Sequence, residues 1–217
     1  GIIQGDRRPD PRAIIQVASA ATLVRRESIP PAKMIVVDEA HHFAGAEGWK
    51  GLVERYAGKH FMLLTATPDR GDGRPMSNVA EALVATVQPS KLIEDGVLTP
   101  CEILAPSERV LKGIACEPVE AYVRWGGGRR CVMFCQTKQH AREVTSKLMA
   151  RGINAGCVTD ETAWTVRQSI YRRVATGDIR VLVNVFVATE GLDIPALEVC
   201  ILARTAGNAS LYLQMVG

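Results

Sequence analysis

The nine residues Met34-Ile-Val-Val-Asp-Glu-Ala-His-His42 decide how this chain is read. Four apolar residues in an unbroken run, three of them β-branched, describe a strand buried on both faces, as in a parallel sheet. The run ends directly in Asp38 and Glu39. Open α/β sheets bind ligands beyond the carboxyl ends of their strands, so two carboxylates are set at that edge. One of them can hold Mg²⁺, usually through a water, while its neighbour polarises an attacking water. The plain alternative is a helix N-cap followed by a surface acid.

Outward from this point the same pattern repeats. At 61–68, Phe61-Met-Leu-Leu-Thr-Ala-Thr-Pro68 is a second apolar run that ends in two hydroxyls, Thr65 and Thr67, beginning 27 residues after Asp38. Hydroxyls at the tip of an adjacent strand can hydrogen-bond the acids or a γ-phosphate; a simple strand-to-loop cap is the alternative. Further short apolar runs lie at Ala13–Val17, Val132–Phe134, Val181–Val187 and Val199–Leu202. Between them fall amphipathic helical patterns. Lys138–Arg151 carries Ala141, Val144 and Leu148 and stops at Gly152. A second opens on a capping-box pattern, Thr165-Val-Arg-Gln168, and stops at Gly177; a third covers Asn78–Val87. Strand–helix alternation of this kind predicts an α/β fold with mostly parallel sheets. Pro89 to Glu120 breaks the rhythm and reads as a connection with one short strand at most.

Composition sets the outer limits. The chain has 217 residues, 47% hydrophobic and 23% charged, with a net charge of +3, and its pI is about 8.6. These values fit a folded globular chain and exclude a disordered one. No apolar run approaches the roughly 18–20 residues of a membrane span, so no membrane is expected among the partners. Residues 121–180 hold eleven Lys and Arg against four acids, a local excess of +7. That is a plausible footprint for a polyanion such as nucleic acid, set against a bland reading as solvated helix faces. The six Cys form no metal-binding spacing. Cys131 and Cys135 share a face of one predicted strand and read as core. Reduced core thiols point to a cytoplasmic setting.

In their order along the chain, these segments resemble the superfamily 2 helicases and translocases, in the branch akin to the helicase subunits of restriction enzymes. Asp38-Glu-Ala-His41 matches the DEAH form of the Walker B motif, and Thr65-Ala-Thr67 the third motif. Val132-Met-Phe-Cys-Gln-Thr137 looks like the fourth, and Val181 to Pro195, with Thr189-Glu-Gly-Leu-Asp193, like the fifth. Leu211 to Gly217 looks like the start of the sixth. The resemblance implies two RecA-like P-loop NTPase lobes with ATP and Mg²⁺ between them and nucleic acid across the top. Asp38 would hold Mg²⁺, Glu39 would orient water, and His41 would bridge to Gln214 in the other lobe. Gly191 and Asp193 would lie near the nucleotide. Thr65 and Thr67 would couple the sites, and Ser19, Thr22, Thr137 and Thr189 would meet the strand. DNA is favoured over RNA by analogy with that branch. The implied division is 1–100 for the back of the first lobe, 101–117 for a linker and 118–217 for the second lobe.

The sequence departs from the family in two places. No Gly-x₄-Gly-Lys-[Ser/Thr] loop occurs; Gly58-Lys59 is followed by His60. That loop cradles phosphates through backbone N–H groups. The arginines expected just after Gln214 are also absent, and Arg204 matches neither. The expectation is therefore a first lobe incomplete at its N-terminus, a second lobe cut short, and little ATP hydrolysis by this polypeptide alone. The rival expectation is a catalytically inactive nucleic-acid-binding module on the same fold.

Overall fold

A computed structural model describes residues 1–45, 47–68, 76–104, 115–185, 192–207 and 209–216. Two compact units emerge, Gly1–Thr86 and Val87–Gly217. The sequence placed a linker at 101–117, of which 105–114 lie outside the described residues.

In the first unit, β1 (Ile2–Ile3) pairs in parallel with β2 (Val17–Ala18) and is followed by α1 (Ala20–Arg25). β3 (Met34–Val37) leads through a 3₁₀ turn, Ala40–Gly45, into α2 (Glu47–Arg55), and β4 (His60–Leu63) returns parallel to β3. The register sets Met34 opposite His60 and Val37 opposite Leu63, so both strands end at the same level. Val37 and Ala40 are buried, with Ile35, Trp49, Val53, Phe61, Leu63 and Met76 packed against them. Alternate residues point the other way and stay open: Met34, Val36, Met62 and Leu64 are all exposed.

Two expectations fail in this unit. The strand expected over Ala13–Val17 shrinks to Val17–Ala18, because β1 offers only two residues to pair with; Ile14 and Ile15 are exposed. The helix expected over 78–87 does not form. Only a 3₁₀ turn, Met76–Asn78, precedes an exposed stretch without regular structure. Val79, Leu83 and Val87 have the right spacing but nothing to pack on, and helices of this length depend on packing rather than propensity.

The second unit starts with α3 (Pro89–Glu94) and α4 (Pro118–Ala121), which runs on as a wider turn of helix to Gly126. Each has proline at its first position, where the missing N–H costs nothing, so the break in rhythm holds helices and, among the described residues, no strand. Then come β5 (Cys131–Cys135), α5 (Lys138–Ala150), β6 (Ala155–Val158), α6 (Trp164–Thr176), β7 (Val181–Asn184), β8 (Val199–Ala203) and α7 (Ala209–Val216). The four strands form one parallel sheet in the order β6-β7-β5-β8. Cys131, Met133 and Cys135 face Ala141, Val144 and Leu148 of α5, while Val132 and Phe134 face Val174 of α6 and Met215 of α7. β6 escaped the sequence reading because Ala-Gly-Cys-Val is a weak strand signal. Its Gly156 is there for space: a Cβ would come 2.9 Å from Ile170 on α6. The capping box at Thr165 is also corrected. The helix begins two residues earlier than a cap at Thr165 would give, at Trp164 behind Ala163, with no side-chain cap. Gly177, at φ 88°, ends it as expected.

Candidate nucleotide and nucleic-acid site

The tips of β3 and β4 are tied together by backbone and side chain. Leu64 N–H donates to Val37 C=O and Ala40 N–H donates to Leu64 C=O, both at 2.8 Å. Between these bonds the chain must turn out of the strand, and Glu39 does so at φ 50°, the left-handed region. Among non-glycine residues that conformation is strained and tends to sit at functional positions. Asp38 helps to hold the turn: its Oδ1 accepts the Glu39 N–H at 2.9 Å.

The turn delivers His41 inward, with its side chain 7% exposed. His41 Nδ1 lies 3.0 Å from Thr65 Oγ1 and 3.4 Å from Glu39 Oε2. A bare nitrogen lone pair beside a carboxylate would be repelled, so Nδ1 carries the proton and faces both oxygens. Thr65 Oγ1 also accepts the Thr67 N–H at 3.1 Å. Thr67 is itself buried, and its hydroxyl oxygen has no hydrogen-bond partner among the described residues. Asp38 remains exposed at the edge. The segments containing Asp38, Glu39, His41, Thr65 and Thr67 therefore meet at one sheet edge, although 24 residues separate His41 from Thr65. The left-handed Glu39 carried no sequence signal.

The other named residues are distributed as follows. Ser19 caps α1 with its backbone, making no side-chain cap bond, and Thr22 one turn later accepts the Gly5 N–H through Oγ1 at 3.3 Å. Thr137 is the N-cap of α5, its Oγ1 accepting the His140 N–H at 3.1 Å. It is exposed, and its O–H proton is left to donate outward. Asp193 is exposed beside the buried Ile194. Gln214 is half-buried on α7 in the second unit, whereas His41 belongs to the first. Thr189 and Gly191 lie outside the described residues.

Two features of the second unit were missed in the sequence. At the carboxyl edge of its sheet, Lys138 Nζ pairs with Asp160 at 2.7 Å and Glu161 at 2.8 Å, and Arg142 reaches Glu161 at 2.8 Å. Spacings of about twenty residues gave no hint of this. Arg204, set aside as no match to the family arginines, follows β8 at the same edge, buried to 9% exposure, and that burial lowers its pKa.

The donor set bears on metal binding. Among the described residues no group of three or more His, Cys, Asp or Glu converges. Mg²⁺ keeps most of its waters and takes one or two carboxylates plus substrate phosphates, so a pair such as Asp38 and Glu39 fits Mg²⁺ arriving with a nucleotide.

The first unit sets acids and hydroxyls at the tips of a parallel strand pair, and the second covers a parallel sheet on both faces; comparison with known proteins adds the family. Residues 116–217 match the helicase conserved C-terminal domain, and residues 9–70 match the type III restriction enzyme res subunit family. Together these matches support a superfamily 2 helicase. It is 25% identical to the putative ATP-dependent helicase IRC3 of Saccharomyces cerevisiae, over 93% of this chain and 34% of that protein. It is likewise 25% identical to a 51.5 kDa protein of a Lactococcus phage, over 83% of this chain and 44% of that one. The chain thus spans between a third and a half of the length of these relatives. Its fold resembles S. cerevisiae Dbp5 solved with RNA and ADP BeF3, with a TM-score of 0.65 at 17% identity, covering 99% of this chain and 59% of that one. The lobes are RecA-like, as expected.

Proposed function

We propose that the chain forms part of an ATP-dependent nucleic-acid helicase or translocase, acting on DNA in preference to RNA. The observation that carries this reading is the tie between strand tips, His41 on Thr65 beside Asp38 and Glu39. It joins a candidate water-orienting acid to a candidate coupling hydroxyl, so a change at one tip is felt at the other. In this reading Asp38 holds Mg²⁺, which would neutralise charge developing on the transferred phosphate. Glu39 orients water, and His41 bridges to Gln214. Gly191 and Asp193 serve the nucleotide. Ser19, Thr22, Thr137 and Thr189 donate to backbone phosphates without sequence preference. The division 1–100, 101–117 and 118–217 is that of first lobe, linker and second lobe. The likeness to a restriction-enzyme family favours DNA. Six free thiols fit a reducing compartment such as the cytoplasm.

In the whole protein, Glu39→Gln is expected to reduce ATP turnover by about 10²–10⁴, the range for a general base, with nucleotide binding retained. Unchanged turnover overturns the assignment. The 217-residue chain contains no phosphate-cradling Gly-Lys loop, so it should hydrolyse ATP slowly even with DNA present. Robust turnover by it would overturn that part. Anisotropy of labelled single-stranded DNA and RNA tests the partner, with tighter DNA binding the expected result.

A further inference from the structure

The local excess of positive charge in residues 121–180 is largely spent inside the protein. Lys138, Arg142, Lys147 and Arg151 are ion-paired along α5, and Arg130 faces Glu198. Arg129 and Arg167 bond backbone carbonyls, and Arg124 lies over the Trp125 ring. Three cations remain with no acidic partner among the described residues: Arg172, Arg173 and Arg180. Two of these are on α6.

α6 has no acid anywhere in its thirteen residues. Ile170, Tyr171 and Val174 turn into the core. On the outside, steps of four align Trp164, Gln168 and Arg172, and beside them Thr165, Ser169 and Arg173; all six are exposed. This stripe is about 12 Å long at the helical rise. At its start Trp164 is 71% exposed and makes no ring contact among the described residues. Tryptophan is highly buried on average, and an open indole amid donors and cations calls for a ligand. The acids at this end, Asp160 and Glu161, are neutralised by Lys138 and Arg142. The helix N-terminus adds partial positive charge. A surface that pairs an aromatic face with hydroxyls, an amide and unspent arginines suits a single strand of nucleic acid, whose bases stack and whose backbone is anionic.

We propose that the outer face of α6 is a single-stranded nucleic-acid contact, with Trp164 stacking on a base and Arg172 and Arg173 taking backbone phosphates. The proposal rests on the nucleic-acid reading above and adds a contact to bases that the backbone-directed hydroxyls do not supply.

The test is titration of the 217-residue chain with labelled oligothymidylate, and with an abasic oligomer of equal length. Stacking one base is worth enough that Trp164→Ala should weaken oligothymidylate binding about tenfold, while Trp164→Phe keeps most of it. The abasic oligomer should bind wild type and Trp164→Ala equally. Replacing both Arg172 and Arg173 by alanine should reduce the slope of log affinity against log salt by about 1.4, the value for two phosphates on a single strand. All these side chains are exposed, so melting temperature should not move. If oligothymidylate binds wild type and Trp164→Ala alike, the proposal falls while the nucleic-acid reading stands. If the chain binds no oligomer at low salt, both fall. Self-association abolished by Trp164→Ala, with oligomer binding intact, would assign the face to protein contact instead and overturn the proposal.

Discussion

Glu39 is a side chain in a place that backbone sterics would give to glycine. Its φ of 50° brings the carboxylate within 3.4 Å of His41 Nδ1 while the neighbouring amide bonds Leu64 C=O. Glu39→Gly should relieve the strain and raise stability by up to about 1 kcal/mol, and in the whole protein it should also abolish ATP turnover. Denaturant melts and a turnover assay check the two halves; a destabilised variant would contradict the strain argument. The thiols give a second residue-level expectation. Burial pushes Cys135 up to about 12 and Cys131 well above its ordinary value, so neither supplies thiolate near pH 8. Cys101 is exposed and should be labelled first by a thiol reagent, with Cys131 and Cys135 reacting only after denaturation. The acids, the histidine and both threonines could all be named from sequence, because each follows an apolar run. The strained turn could not: nothing in Asp38-Glu-Ala-His41 announces it. It follows from the register that fixes where β4 must receive the Ala40 amide.

Among the elements, α4 shows how a single side chain sets a helix end. Glu117 Oε2 accepts the Val119 and Glu120 amides at 2.8 and 3.0 Å, and Oε1 meets Lys147 of α5 at 3.1 Å. Burial works to raise this carboxyl, but the Glu120 amide, Lys147 and the Val119 amide outweigh it and hold it below its ordinary 4.5. A depressed folded pKa stabilises the charged form, so the contribution is complete above about 4.5 and is lost as pH falls through the lower folded value. Glu117→Gln should therefore cost no more than about 1 kcal/mol at neutral pH, the group being partly exposed, with the gap to wild type closing in acid. Thermal melts across that range check it; a gap that widened in acid would reverse the sign. Helices were legible where a core awaited them. α5 and α6 have stripes that meet β5 and β7, and glycine stops. The stripe at Val79, Leu83 and Val87 looked the same on paper and failed, since periodicity records a willingness to pack and not the presence of a surface. Proline was misleading in the other direction: Pro89 and Pro118 suggested irregular chain and instead open helices.

Over the whole molecule, the two units differ in how much apolar surface they hide. The second has two clusters of buried residues on either side of a four-stranded sheet; the first has two separate strand pairs, and among the described residues the apolar cluster at β3 and β4 has just two buried members, Val37 and Ala40. Heating should therefore melt the first unit at a lower temperature than the second, and amides of β3 and β4 should exchange before those of β5 and β7. A single transition with uniform protection would contradict this. The α/β class and the strands β3, β4, β5, β7 and β8 were visible from sequence, because unbroken apolar runs mean parallel strands. The order across the sheet, β6-β7-β5-β8, was not, since β6 has a weak signal and lateral neighbours leave no mark on spacing. The open side of the β3–β4 pair has a practical outcome for anyone handling the protein. Met34, Val36, Met62 and Leu64 form a greasy plane that water wets poorly. Sulfate and phosphate salts strengthen such burial, so the chain should cling to phenyl resin and fall out of solution early in an ammonium sulfate cut. Replacing Val36 and Met62 with threonine or lysine should delay both, turning a feature of sheet geometry into a choice of purification buffer.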